Sequence, residues 1–229
     1  MKRTAFPAGA RALVVAPHPD DEVLGCGGTI ARLHDEGVLV EVVVVTRGTA
    51  PRYSDERVQQ VRAEARAAHA MLNVTATYFL DLPAAELDQV PQAAINAHIG
   101  AAIDAVRPTI VFLPFPGDIH VDHQRVFQSA MVALRPRRAD YPTQVFAYET
   151  LSETNWSTPV LHPPFVPNVY IDIGATLERK LAAFACFHSQ ACAFPNERSL
   201  EAIRALATLR GATVHRDAAE AFVAIREVL

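Results

Sequence analysis

The run Val38-Leu39-Val40-Glu41-Val42-Val43-Val44-Val45-Thr46 restricts the possible folds more than any other stretch of the chain. Its β-branched residues favour a strand. Successive side chains of a strand point to opposite faces, so both faces of this one are aliphatic and both must be covered. Helices packed on the two sides of a mostly parallel sheet meet that condition. The rest of the sequence alternates accordingly. Apolar runs at 11–16, 75–80, 109–113, 143–149 and 168–173 read as further strands, and residues 22–36, 55–72, 91–106 and 121–134 read as helices between them. Val58, Val61, Ala65, Ala68 and Leu72 recur at helical spacing, and Gly37 suits a helix C-terminus. Strands alternating with helices imply an α/β fold with right-handed crossovers. The C-terminal third is less regular. Residues 151–167 form a proline-rich loop, 177–187 and 197–209 read as helices, and 222–228 fits a strand or a helix end equally. The 229 residues, half of them apolar, suffice for one domain spanning 1–229.

In open parallel sheets ligands bind beyond the carboxyl ends of the strands. Two clusters follow strands directly. The first is Pro17-His18-Pro19-Asp20-Asp21-Glu22, after Ala12-Leu13-Val14-Val15-Ala16; the second is Asp118-Ile119-His120-Val121-Asp122-His123. Acids gathered so closely repel one another unless a cation holds them. A helix N-cap explains one aspartate but not the pair beside His18, nor the second cluster. A catalytic metal takes three N or O ligands and keeps a position open for water. His18 and Asp21, three apart on a turn, can aim at one point, and His123 can supply the third ligand. Asp20 then remains uncoordinated and suits a general base. Asp122 can hydrogen-bond an imidazole, either behind a metal ligand or to hold His120 charged against a developing oxyanion.

The bulk properties exclude other classes. The net charge is −4 and no Lys/Arg run stands out, which argues against nucleic acid. The three cysteines, Cys26, Cys186 and Cys192, suit reduced thiols in the cytoplasm. No apolar stretch of signal-peptide length precedes Arg11, and no window approaches a membrane span. Gly25-Cys26-Gly27-Gly28 lacks the spacing of a dinucleotide loop, and preceding acids would repel a pyrophosphate. Small residues there let a helix approach the sheet. The same ligand count would also serve a two-histidine, one-carboxylate iron oxygenase, or a metal- or sugar-binding module without catalysis. The spare base Asp20 and the pair His120 and Asp122 favour hydrolysis over both.

Pro17-His18-Pro19-Asp20-Asp21-Glu22 with Gly25-Cys26-Gly27-Gly28, and Asp118-x-His120-x-Asp122-His123, resemble the two signatures of the PIG-L/LmbE family of zinc-dependent de-N-acetylases. Pro167-Asn168-Val169, Lys180, Ser189-Gln190, Arg210-Gly211 and Ala219-Glu220-Ala221-Phe222 extend the likeness over nearly the whole chain. The resemblance implies a Rossmann-like fold and removal of an N-acetyl group from a small glucosamine-containing substrate, giving a free amine and acetate. It implies one Zn2+ per chain on His18, Asp21 and His123, with Asp20 as base, His120 as electrostatic partner and Asp122 orienting it. Relatives often carry an arginine three residues before the Glu of the second helix. Here that Glu is Glu64 and the matching residue is Val61, so Arg57 or Arg62 is expected to contact substrate instead. Asp118, where some relatives have tyrosine, is a third expected substrate contact. Trp156 with Tyr148 and Glu149 suits either the wall of a sugar pocket or a tryptophan buried beneath the loop, and His162 and His188 lie in the C-terminal third that can fold over the site. A homo-oligomer is left open.

Overall fold

The computed structural model describes residues 9–228. The basic segment 1–7, in which no leader is read from the sequence, lies outside the described residues. One seven-stranded sheet runs in the order β3-β2-β1-β4-β5-β7-β6. Its strands are β1 (Arg11–Ala16), β2 (Leu39–Arg47), β3 (Ala76–Pro83), β4 (Ile110–Pro114), β5 (Gln144–Tyr148), β6 (Val169–Asp172) and β7 (Ala219–Glu227). β1 to β5 are parallel, and β7 runs antiparallel to both β5 and β6. The segment left open between strand and helix is therefore a strand. The less regular C-terminal third completes the sheet through β6 and β7.

The helices are α1 (Asp21–Asp35), α2 (Asp55–Met71), α3 (Gln92–Val106), α4 (Val121–Ala133), α5 (Leu177–Phe184) and α6 (Leu200–Thr213). The period-2 alternation of the strands divides the core between the two faces. Ala12, Val14, Val40, Val42, Val44 and Phe112 pack with α1, α2, α5 and α6. Leu13, Val15, Val43, Val45, Val111 and Leu113 pack with α3 and α4. β3 is longer than its apolar run suggests, ending at Pro83 where residues 81–88 read as loop, because its backbone pairs with β2 as far as Arg47. Gly37 has φ 82° just beyond α1, the left-handed conformation expected of a glycine after a helix.

The glycines of α1 seat it on the sheet. A Cβ at Gly25 would lie 2.3 Å from Cδ2 of Tyr148. One at Gly28 would lie 2.7 Å from Cδ1 of Ile173. The Tyr148 ring cannot withdraw easily, because it is fully buried and its hydroxyl donates to the Val15 carbonyl at 2.9 Å. On the C-terminal side, Glu220 accepts from the Gly28 and Thr29 N–H groups at 2.9 and 2.7 Å. The buried Lys180 ammonium bonds Glu220 and the Leu24 carbonyl.

Gly25→Ala is therefore expected to destabilise the protein, although alanine is favoured over glycine inside a helix by about 0.8–1.0 kcal/mol. Overpacking against an immobile ring costs about 1–3 kcal/mol. A denaturant titration should show a net loss, and a variant as stable as the parent would mean that α1 can move off Tyr148.

Candidate active site

The sheet reverses its order between β1 and β4, and both clusters emerge from the carboxyl ends of these neighbouring strands. The Pro17 carbonyl is tied to β2 by the Thr46 N–H and hydroxyl, at 3.0 and 2.8 Å, which fixes the turn that carries His18. Asp21 and Glu22 occupy the first turn of α1, where the helix dipole favours negative charge. His120 is the N-cap of α4, its Nδ1 accepting from the Asp122 N–H at 3.1 Å.

Two sets of three side chains bring ligand atoms within 4.8 Å of one another: His18, Asp21 and His123, and His18, His120 and Asp122. Hydrogen bonding separates them. Asp21 Oδ1 and His123 Nε2 are buried without a hydrogen-bond partner. Such groups are costly to bury unless something coordinates them. Asp122 is already satisfied, with Oδ2 accepting from Ala85 N–H at 2.6 Å and Oδ1 from Leu87 N–H at 3.2 Å. The first set thus fits a divalent metal; the second does not need one.

Each imidazole of the first set is backed by a carboxylate. Asp122 Oδ2 lies 3.0 Å from His18 Nε2, and Asp118 Oδ2 lies 2.8 Å from His123 Nδ1. Such partners fix ring orientation and raise ligand basicity. Two sequence expectations are corrected here. The Asp122 carboxylate does not orient His120: it is turned onto His18 and two backbone N–H groups, and only its N–H reaches the His120 ring. Asp118 is not a substrate contact: it is fully buried, bonded to His123 and to the Thr154 hydroxyl at 2.6 Å.

The charges follow from this crowding. Burial works to raise the pKa of Asp21, but His123 and His18 outweigh it and hold the carboxyl well below its usual range. Burial would lower His18, yet Asp122 and Asp21 raise it to about 9. His120 is instead lowered to about 4, by burial and then by His18. With Nδ1 accepting a backbone hydrogen, the ring proton sits on Nε2. Burial lifts Asp20 to about 8 against the opposing pull of Arg198. Asp20 is the residue before α1 but makes no side-chain cap; its Oδ2 accepts from Arg198 Nη1 at 2.9 Å.

A cavity of about 290 Å³ opens over the cluster, near the lower end of the small-ligand range. His18, Asp20 and His120 lie in its wall with Tyr53, Glu153, Gln190 and Arg198. Arg57, Val61 and Arg62 also line it. Both arginines are already engaged, Arg57 with the Ser189 carbonyl at 2.9 Å and Arg62 with Asp81 and the Phe79 ring. Tyr148, Glu149 and Trp156 do not form the wall. Tyr148 is in the core, Glu149 pairs with Arg210 at 2.6 Å, and Trp156 is 63% exposed. His162 and His188 lie outside the lining too. Sequence reasoning missed Glu153, Tyr53 and Arg198, which stand in loops or beside a helix start with no motif to mark them. Gln190 had a signal in the Ser189-Gln190 pair.

An α/β sheet whose switch point gathers two histidines and an aspartate that can hold a metal, with a further aspartate and imidazole beside them, suits a metal-dependent hydrolase. The family described as PIG-L, GlcNAc-PI de-N-acetylase, matches residues 13–134, and the chain belongs to this family. It is 30% identical over 166 residues to the uncharacterized deacetylase YaiS of Escherichia coli K12, covering 69% of this chain and 79% of that protein. It is 27% identical over 202 residues to diacetylchitobiose deacetylase of Thermococcus kodakarensis, covering 82% and 71%. Its fold matches the crystal structure of the conserved protein TT1542 from Thermus thermophilus with a TM-score of 0.78, at 28% identity and 96% coverage of both chains.

Asp122→Asn and Asp118→Asn should each weaken metal binding about 10–100-fold. Competition against a chromophoric chelator measures it. Undiminished affinity in both would show that these carboxylates do not support His18 and His123.

Proposed function

We propose that this protein is a zinc-dependent hydrolase that removes the N-acetyl group from a small N-acetylated sugar or sugar conjugate of the N-acetylglucosamine type, releasing acetate and a free amine. The observation that carries the reading is the pair of orphaned buried atoms, Asp21 Oδ1 and His123 Nε2, converging with His18 beneath a cavity that also holds Asp20. The name of the Thermococcus relative supports a sugar amide as the substrate class.

In this reading His18, Asp21 and His123 hold the metal. The mixed N and O donor set suits zinc. When bound, such a cation lowers the pKa of a water and polarises the acetyl carbonyl. Asp20 takes a proton from the attacking water as its oxygen adds to the carbonyl carbon. His120 donates its Nε2–H to the oxygen on which negative charge develops, and Asp122 N–H fixes that tautomer through Nδ1. Asp20 then returns its proton to the amide nitrogen as the C–N bond breaks, so acetate and amine leave with the atoms of one water between them. Asp122 and Asp118 act through the two histidine ligands. Glu153, raised to about 7 chiefly by burial, faces the cavity and can accept a sugar hydroxyl.

Cys26, Cys186 and Cys192 are free thiols, which supports a cytoplasmic enzyme. Among the described residues no helix is long and apolar enough to cross a membrane. Residues 1–229 are read as one catalytic domain, supported by β6 and β7 sharing the sheet.

Acetate release from a panel of N-acetylglucosamine glycosides should be lost on chelation and return with zinc. Turnover by metal-stripped enzyme would overturn the proposal. Asp20→Ala should lower kcat by about 10²–10⁴-fold while metal remains bound. His120→Ala should cost about 10²–10³-fold in kcat; a change confined to KM would remove His120 from the chemistry.

A further inference from the structure

Asp20 stands in a backbone conformation that non-glycine residues avoid, φ 117° and ψ −27°. Such strain persists where the surroundings over-determine it, and it clusters at functional sites. Three of the contacts that hold Asp20 come from α1 itself. Its N–H donates to Glu22 Oε2 at 3.2 Å, and its carbonyl accepts from Val23 and Leu24 N–H at 3.0 and 2.9 Å. The side chain is held from elsewhere. Arg198 Nη1 donates to Asp20 Oδ2 at 2.9 Å across 178 positions of sequence.

Arg198 is itself fixed. Nη1 also donates to Gln190 Oε1 at 3.2 Å, and Nε donates to the Ser152 hydroxyl at 3.1 Å. Gln190 and Arg198 both line the cavity, whereas Val61 brings no cation to the same wall. Arg198 lies outside residues 13–134, the stretch that the family description matches.

We propose that Arg198 is a positioning residue for the hydrolysis. Its guanidinium clamps Asp20 Oδ2, leaving Oδ1, which takes no hydrogen bond from any described residue, for the proton of the reacting water. This rests on the reading of Asp20 as the base. The C-terminal segment then does more than cover the site: it carries the group that aims the base. A carboxylate with both oxygens free to rotate would present the acceptor in many orientations, and the loss of a fixed geometry lowers the rate rather than the substrate affinity.

A double-mutant cycle separates this role from a merely structural tie. Arg198→Ala, Arg198→Lys, Asp20→Asn and the double variant Asp20→Asn with Arg198→Ala are loaded with zinc. They are assayed for acetate release from an N-acetylglucosamine glycoside that the parent enzyme turns over. Arg198→Ala should lower kcat about 10²-fold with KM within about threefold, at unchanged zinc content and with the protein fully folded at the assay temperature. Free guanidinium should restore part of the rate. In the Asp20→Asn background, removing Arg198 should cost nothing further, because the two act as one unit. Parent-like kcat in Arg198→Ala, or an equal loss with and without Asp20, would overturn the proposal, as would a loss accounted for by lower zinc content or a smaller folded fraction. Should Arg198→Ala not fold, Arg198→Lys carries the same cycle with the same expected cancellation. Parent-like turnover by Asp20→Asn would overturn the assignment of the base together with this inference, whereas an inactive Asp20→Asn beside an unaffected Arg198→Ala would overturn this inference alone.

Discussion

Four carboxylates, Asp20, Asp21, Asp118 and Asp122, are buried around one point at the edge of the sheet, and the local structure is organised to oppose their charge. Burying a lone carboxylate is far more costly than any single hydrogen bond can offset. Each is therefore given a partner. Asp21 lies between His18 and His123, Asp122 and Asp118 stand behind those two rings, and Asp20 meets Arg198. The N-terminus of α1 adds its dipole. Two buried atoms, Asp21 Oδ1 and His123 Nε2, are left without a hydrogen bond, and a metal would satisfy both at once. The same electrostatic demand thus explains the ligand set, the carboxylates behind it and the arginine over it.

The aim of α1 depends on how closely it sits on the sheet. Gly25 and Gly28 remove the side chains that would hold it away from Tyr148 and Ile173. Lys180 and Glu220 then bind its backbone in mid-helix from the C-terminal third. A buried ion pair is weak evidence for stability by itself. Here its position matters more, because it anchors the helix whose first turn carries Asp21 and Glu22. Glu22 in turn bonds His69 at 2.8 Å, tying α1 to α2 below the site.

Much of the fold was legible in the local pattern. The aliphatic run around Val42 required a sheet covered on both faces, and the alternating segments supplied the helices that cover it. The boundaries at Pro83 and Ala219 were less legible because hydrogen-bond pairing, not composition, extends β3 and β7. At the site, the pairing of His18 with Asp21 could be read from spacing on one turn. The partners of Asp122 could not. Asp122 is two residues from His120 and 104 from His18, yet its carboxylate faces His18 because Ala85 and Leu87 N–H groups turn it that way.

The sequence by itself pointed to the residues proposed to carry the chemistry: His18, Asp20, Asp21, His120 and His123 follow from side-chain type and from their position just after strands. It also determined the α/β class, through side chains that need cover on both sides. The tertiary structure decided how those groups divide the work. It turned Asp118 onto His123 and Asp122 onto His18, set Nδ1 of His120 against a backbone N–H, and brought Arg198 to Asp20. These outcomes depend on distances between residues far apart in the chain and on burial, which sets the strength of every charge. Neither quantity is local, so neither is written in a motif.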